Sequence, residues 1–126
     1  MNENKTEKLL KIISKLRDPS SGCEWTKSQT SKSLLPFILE ETKEIQEAFE
    51  NNDYENFKEE LGDLLLQIVL QSEIAEENNL FSFDEVIDTL CEKLIRWHPY
   101  VFKEKRPHTL EEQREAYFRI KDLEKS

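Results

Sequence analysis

Glycine and proline are scarce in this chain, at two and four of 126 residues. A many-stranded sheet needs more turn residues than that, so a helix-rich chain is expected. Cysteine is equally sparse. Cys23 and Cys91 lie far apart, make no CxxC pair and have no histidine at zinc-finger spacing. Neither a disulfide framework nor a structural zinc site is indicated, and two reduced, packed thiols are expected. No apolar run approaches the roughly 20 residues of a membrane span. The first residues, MNENKTEK, lack the apolar core of a signal peptide, so a cytoplasmic protein with no membrane partner is expected. Positive charge is also in deficit, with 18 Lys and Arg against 27 Asp and Glu and a net charge of −9. Nucleic-acid backbones are bound mainly through Lys and Arg, which excludes nucleic acid as an expected partner.

What is present is acid, and it is concentrated. The stretch from Glu40 to Asp63 holds ten Asp and Glu against two Lys, a net charge of −8. Within it are two short carboxylate pairs, Glu41-x-x-Glu44 and Glu60-x-x-Asp63, on either side of a polar turn at Asn51-Asn52-Asp53. The length supports one domain over residues 1–126.

Apolar spacing sets out the helices. Leu9, Ile12, Ile13 and Leu16 form a stripe at i, i+3, i+4 and i+7, ended by Asp18-Pro19. Residues 18–33 read as a loop in which Trp25 is the one large apolar side chain, either a lid on the core or a ring for a ligand. The second helix is predicted from about Ser33 to Glu50, with Pro36 in its first turn, where its missing N–H is no loss. At about 100° per residue, Leu34, Ile38, Ile45 and Phe49 share one side; Glu41 falls inside that arc and Glu44 at its border. Asp53 is the predicted N-cap of a third helix over Tyr54–Asn78 that is apolar nearly all round. Glu60, Asp63 and Gln67 share a side of it with Leu70 and Ile74, and they lie beyond the first turn, where the helix dipole would account for acids. Gly62, costly by about 1 kcal/mol in a helix interior, suggests close approach of a backbone or ligand. Ser82-x-x-Glu85 and Thr109-x-x-Glu112 are capping boxes for two further helices. The first carries Val86, Ile87, Leu90, Cys91, Leu94 and Ile95 as its buried side and ends at His98-Pro99; the second is more polar, with Leu110, Tyr117 and Ile120 on its apolar side. Lys93 and Arg96 share a face, either for phosphates or as a basic helix end. The expected fold is all-α, a helical bundle of four to five helices with a central antiparallel helical hairpin.

Two carboxylates about 4 Å apart repel by about 4 kcal/mol at an effective dielectric near 20. Two Lys cannot pair with ten acids, so the acids stay apart in water, take up protons or hold a cation. An oxygen-only ligand set suits Mg²⁺ or Mn²⁺ with a phosphorylated ligand. A di-iron bundle would need Glu-x-x-His, and neither His98 nor His108 has a Glu three residues before it. The residues alone therefore leave two readings, a Mg²⁺ site or a solvated acidic hairpin.

The segments LRDPSSGCEW, Gln29-Thr30, Ser33 to Leu35, LEETKEI, EELGDLLLQIV and KLIRWHPYVF, in order from about Leu16 to Phe102, resemble the MazG family of nucleoside triphosphate pyrophosphohydrolases. That resemblance implies an all-α, Mg²⁺-dependent hydrolase cleaving nucleoside triphosphates between the α and β phosphates, with a role in sanitising the nucleotide pool. It implies metal ligation by Glu41, Glu44, Glu60 and Asp63, with Glu40 and Glu59 as neighbouring acids that orient or activate water. Lys93 and Arg96 are implied for the phosphate tail, and Trp25, with Lys27 and Gln29, for base or sugar. A homodimer or homotetramer is implied as well, with sites at or near subunit contacts. Cys23-Glu24-Trp25-Thr26 departs from the CPWD of many relatives, and Arg96-Trp97-His98-Pro99-Tyr100 from RRHPH, which leaves nucleobase preference open. The alternatives are a narrower dUTP or dCTP pyrophosphatase and a non-catalytic helical module docking on a basic partner.

Overall fold

The computed structural model describes residues 4–103 and 108–125, and every regular element among them is helical. In chain order these are α1 (Lys5–Leu16), α2 (Glu24–Ser28), α3 (Ser31–Glu50), α4 (Tyr54–Glu77), α5 (Phe83–Trp97), α6 (Pro99–Phe102) and α7 (Leu110–Lys125). Five are the long helices expected from apolar spacing; α2 and α6 are additional turns of five and four residues. None of the described helices is long and apolar enough to cross a membrane. The chain divides into two compact units, Met1–Phe83 and Asp84–Ser126.

In the first unit α3 and α4 form the antiparallel hairpin, and its ends are fixed by local chemistry. Thr30 Oγ1 accepts from the Ser33 N–H at 3.0 Å while the Ser33 hydroxyl accepts from the Thr30 N–H at 2.8 Å, a reciprocal cap. This cap starts α3 two residues before the expected Ser33. Pro36 therefore lies inside the helix rather than in its first turn, leaving the Lys32 carbonyl without its intrahelical donor. At the other end Asn52 adopts φ 57°, and the Asp53 N–H reaches back to the Ala48 carbonyl at 3.0 Å. Asn79 closes α4 the same way, with φ 58° and a 2.9 Å bond from the Leu80 N–H to the Ala75 carbonyl. Asparagine tolerates the left-handed region that ends a helix in this motif. Asp53 caps α4 as expected, accepting from the Asn56 N–H.

The core of this unit is Ile13, Leu34, Val69, Leu70 and Ile74, with Leu9, Leu10, Leu66 and Phe83 packed against it. Leu10 thus takes the inward place that periodicity gave to Ile12 and Leu16, both of which are exposed. Leu61, Leu65 and Ile68 on α4 are exposed too, so one apolar face of that helix is left open by the described residues. Gly62 lies on the open side: a Cβ there would meet nothing within 4 Å, and none of the described residues makes the expected close approach.

Gly22 is the constrained glycine. The turn after α1 closes through the Gly22 N–H to the Asp18 carbonyl at 2.9 Å and the Cys23 N–H to the Leu16 carbonyl at 2.8 Å. A Cβ at position 22 would come within 2.6 Å of the Asp18 carbonyl oxygen and closer still to that of Leu16. Both obstacles are backbone and cannot swing aside. Gly22→Ala is expected to lower stability by about 2 kcal/mol, read from the urea midpoint, whereas Gly62→Ala is expected to raise it by a few tenths up to about 1 kcal/mol through helix propensity.

In the second unit Trp97 and Tyr100 are buried, and Trp97 meets Tyr117 edge-on with centroids 5.2 Å apart. Thr109 and Glu112 form the expected capping box of α7, two bonds of 3.1 Å. Much of the expected buried side of α5 is open: Ile87, Leu90, Leu94 and Ile95 are exposed. Cys23 and Cys91 are likewise exposed rather than packed, Cys23 as N-cap of α2 and Cys91 on α5 beside Leu90.

Candidate functional site

The hairpin brings Glu41 of α3 against Glu60 and Asp63 of α4. One carboxylate oxygen from each lies within 4.8 Å of the others. Glu60 and Asp63 share a face because they are three residues apart on one helix, and antiparallel packing sets Glu41 opposite them. Glu41, Glu44 and Glu60 are half-buried and Asp63 is exposed. Glu40 and Glu59, one residue before Glu41 and Glu60, are exposed.

The electrostatics follow from crowding. Burial first, then the negative charges of Glu44 and Asp63, push the Glu41 carboxyl above its ordinary range. Contact with Glu41 raises Glu60, and contact with Glu60 raises Glu44. Three neighbouring carboxyls thus hold protons more tightly than free glutamates, because no cation of the described chain is paired with them. Two of their oxygens, Glu41 Oε2 and Glu60 Oε2, are buried without a hydrogen-bond partner. Gln67 Oε1 is a third such atom; its side chain lies one turn beyond Asp63 on the same face of α4 and is only 7% exposed. A buried polar atom without a partner costs about 1–3 kcal/mol. The two carboxylate oxygens, contributed by facing helices beside Asp63, fit a hard divalent cation, which would satisfy both.

The segment before α3 is held by a residue that sequence reasoning missed. Arg17 is 9% exposed at its side chain. Its Nη1 donates to the carbonyls of Thr26 at 2.8 Å and Gln29 at 2.9 Å, while Nε and Nη2 form a fork onto Glu77 of α4 at 2.9 and 2.6 Å. Trp25, on α2, is 52% exposed and meets Phe37 of α3 edge-on, with centroids 5.8 Å apart. Lys27 binds Glu24 at 2.8 Å and donates to the Pro19 carbonyl at 3.1 Å. Gln29 donates to the Trp25 carbonyl at 3.2 Å and accepts from the Ser33 hydroxyl at 2.7 Å. Both polar residues therefore brace the segment on which Trp25 stands.

Lys93 and Arg96 belong to the second unit. Arg96 forks onto Glu124 of α7 at 2.5 and 2.7 Å, and Trp97 Nε1 donates to the same carboxylate at 2.8 Å. That fork, with the Trp97 donor, holds the Glu124 carboxyl down at about 2. Lys93 Nζ sits over the Trp97 ring, 4.3 Å from its centroid.

Comparison with known proteins bears on the whole arrangement. Residues 29–102 match the model of the MazG nucleotide pyrophosphohydrolase domain. The chain is 50% identical over 96 residues to the nucleoside triphosphate pyrophosphohydrolase/pyrophosphatase MazG of Thermotoga maritima, covering 76% of this chain and 37% of that protein. It is 37% identical over 123 residues to the nucleoside triphosphate pyrophosphohydrolase of Escherichia coli, covering 98% of this chain and 47% of that one. The chain thus spans less than half the length of these curated relatives. Among solved structures, a MazG-related protein from Thermotoga maritima superposes with a TM-score of 0.76 at 30% identity, covering 92% of this chain and 98% of that one.

Proposed function

This chain belongs to the family of the MazG nucleotide pyrophosphohydrolase domain, and from that premise we propose that it hydrolyses nucleoside triphosphates to monophosphate and pyrophosphate with the help of Mg²⁺. The observation that carries the reading is the trio of Glu41, Glu60 and Asp63, with two buried carboxylate oxygens lacking any partner among the described residues.

Glu41, Glu44, Glu60 and Asp63 hold the cation, Mn²⁺ substituting for Mg²⁺. Bound there, it supplies charge neutralisation of phosphate oxygens and polarisation of the α phosphorus. The chain contributes the rest. A water oxygen bonds to the α phosphorus, the bond from that phosphorus to the bridging oxygen breaks, and pyrophosphate departs. Glu40 and Glu59, exposed beside the ligands, orient that water and take its proton. Trp25, half exposed on α2, lies against base or sugar. The open apolar face at Leu61, Leu65 and Ile68 supports a homodimer or homotetramer, since a monomer seldom leaves such a surface uncovered. Removal of aberrant nucleotides from the cytoplasmic pool is the physiological role that follows.

A panel of ribo- and deoxynucleoside triphosphates with Mg²⁺, with pyrophosphate resolved from phosphate, tests the reaction. Monophosphate and pyrophosphate are expected in equal amounts. Phosphate released first, with diphosphate left behind, would place the cut at the wrong bond and end this reading.

A further inference from the structure

The Arg17 network has no part in the chemistry described so far, yet its guanidinium donates to two backbone carbonyls and to both oxygens of a carboxylate. One guanidinium spans three elements: it follows α1, binds two carbonyls at the end of α2, and forks onto Glu77 near the end of α4. A five-residue helix is too short to hold its own position, and Arg17 ties α2 to α4 through the Thr26 and Gln29 carbonyls on one edge and the Glu77 carboxylate on the other. The consequence falls on Trp25. Its ring is half exposed, set edge-on against Phe37, and Phe37 is one helical turn before Glu41 on the same face of α3.

We propose that Arg17 is a positioning residue for nucleobase recognition: clamped between Glu77 and the α2 carbonyls, it holds Trp25 against Phe37 so that the two rings form an aromatic step one turn from Glu41. Phe37 thereby becomes a specificity-determining contact alongside Trp25. Residues Lys27 and Gln29 brace the same segment from its outer side. A planar base on this step places its phosphates toward the acidic trio along α3. The proposal rests on the nucleotide reading given above, and it adds to it how the base end of the site is held. An Arg is needed here because two carbonyls and a bidentate carboxylate use opposite edges of one planar fork, which the point charge of Lys cannot do.

The test separates base recognition from phosphate binding and from folding. Arg17→Lys, Glu77→Gln and Phe37→Leu are assayed with four nucleoside triphosphates, and with inorganic tripolyphosphate as a base-free competitive inhibitor. Arg17→Lys and Phe37→Leu are expected to raise KM for the nucleotides about tenfold, as loss of base stacking does, with a smaller change in kcat and the tripolyphosphate inhibition constant within about twofold. Phe37→Leu is expected to do so without lowering Tm, which separates the step from general loosening of the fold. If Arg17→Lys does not fold, Glu77→Gln breaks the same fork with the volume kept and carries the comparison. Nucleotide KM and tripolyphosphate inhibition rising together, or KM unchanged in both Phe37→Leu and the fork variants, would overturn the proposal. A wild-type chain that turns over no nucleoside triphosphate would refute the activity and not the step. Calorimetric Kd values for ATP against tripolyphosphate, in wild type and Phe37→Leu, would then decide it by the same criterion.

Discussion

Glu41→Gln is expected to cut kcat/KM by on the order of a hundredfold or more while leaving the cation-free protein at least as stable as wild type. The two halves of that result have one cause. Burial works against the charge of Glu41, and the negative charges of Glu44 and Asp63 add to that. An amide of the same shape removes one of the mutually repelling charges, and its NH₂ can donate to a neighbouring carboxylate. Stability improves or holds for the reason that activity fails, since the site keeps its acids close at a cost that only a bound cation offsets. Steady-state kinetics at saturating Mg²⁺ and a thermal melt in chelator check the two halves separately. The control is Glu47→Gln on the exposed face of the same helix, for which neither quantity is expected to move. Full activity in Glu41→Gln would return the hairpin to an acidic surface.

The acidic trio was legible in the sequence because its evidence is local and periodic. A helical phase places Glu41 in the apolar arc of α3 and Glu60 and Asp63 beside Leu70 and Ile74, and a charge count leaves them without partners. Caps were legible for the same reason: the Asp53 cap and the Thr109-x-x-Glu112 box depend on residues three apart. Arg17 was not legible, because its partners are backbone carbonyls 9 and 12 residues on and a carboxylate 60 residues away. Only folding brings those together. Phe37 escaped likewise, since periodicity counts it as one more apolar residue and cannot show that Trp25 stands on its edge. Burial was the weakest inference. The stripes on α4 and α5 are real, but a stripe records that a face is apolar, not whether the same chain covers it. Leu90 and Ile95 are therefore exposed where cover was expected, and Leu61 and Leu65 on the apolar surface of α4 are exposed as well.

The cation-free protein is expected to lose stability as pH rises from about 4.5 toward neutrality, and a divalent cation is expected to abolish that loss. Glu41, Glu44 and Glu60 all have carboxyls raised in the fold, by burial and by one another, and burial raises Glu73 as well. A raised carboxyl means that the folded chain binds more protons than the unfolded one in the window above the ordinary glutamate value. Stability must therefore fall with pH through that window. At lower pH the sign reverses, because Glu77, held down by Arg17, and Asp18 and Glu124, each near 2, favour the fold only while ionised. The Tm of the metal-free protein should accordingly peak in mild acid, below the pH at which most proteins are most stable. Mg²⁺ competes with the protons for the same oxygens, so its effect should be small near pH 4.5 and grow toward neutrality. At a hundred times its Kd it adds about 2.7 kcal/mol. Differential scanning fluorimetry over pH, with chelator or with excess Mg²⁺, reads both curves. Glu60→Gln should flatten the chelator curve and shrink the gap between the two, because it removes a raised carboxyl and a ligand in one change. Solvated acids far enough apart to ignore one another would give two superimposable curves, with no fall between mild acid and neutrality.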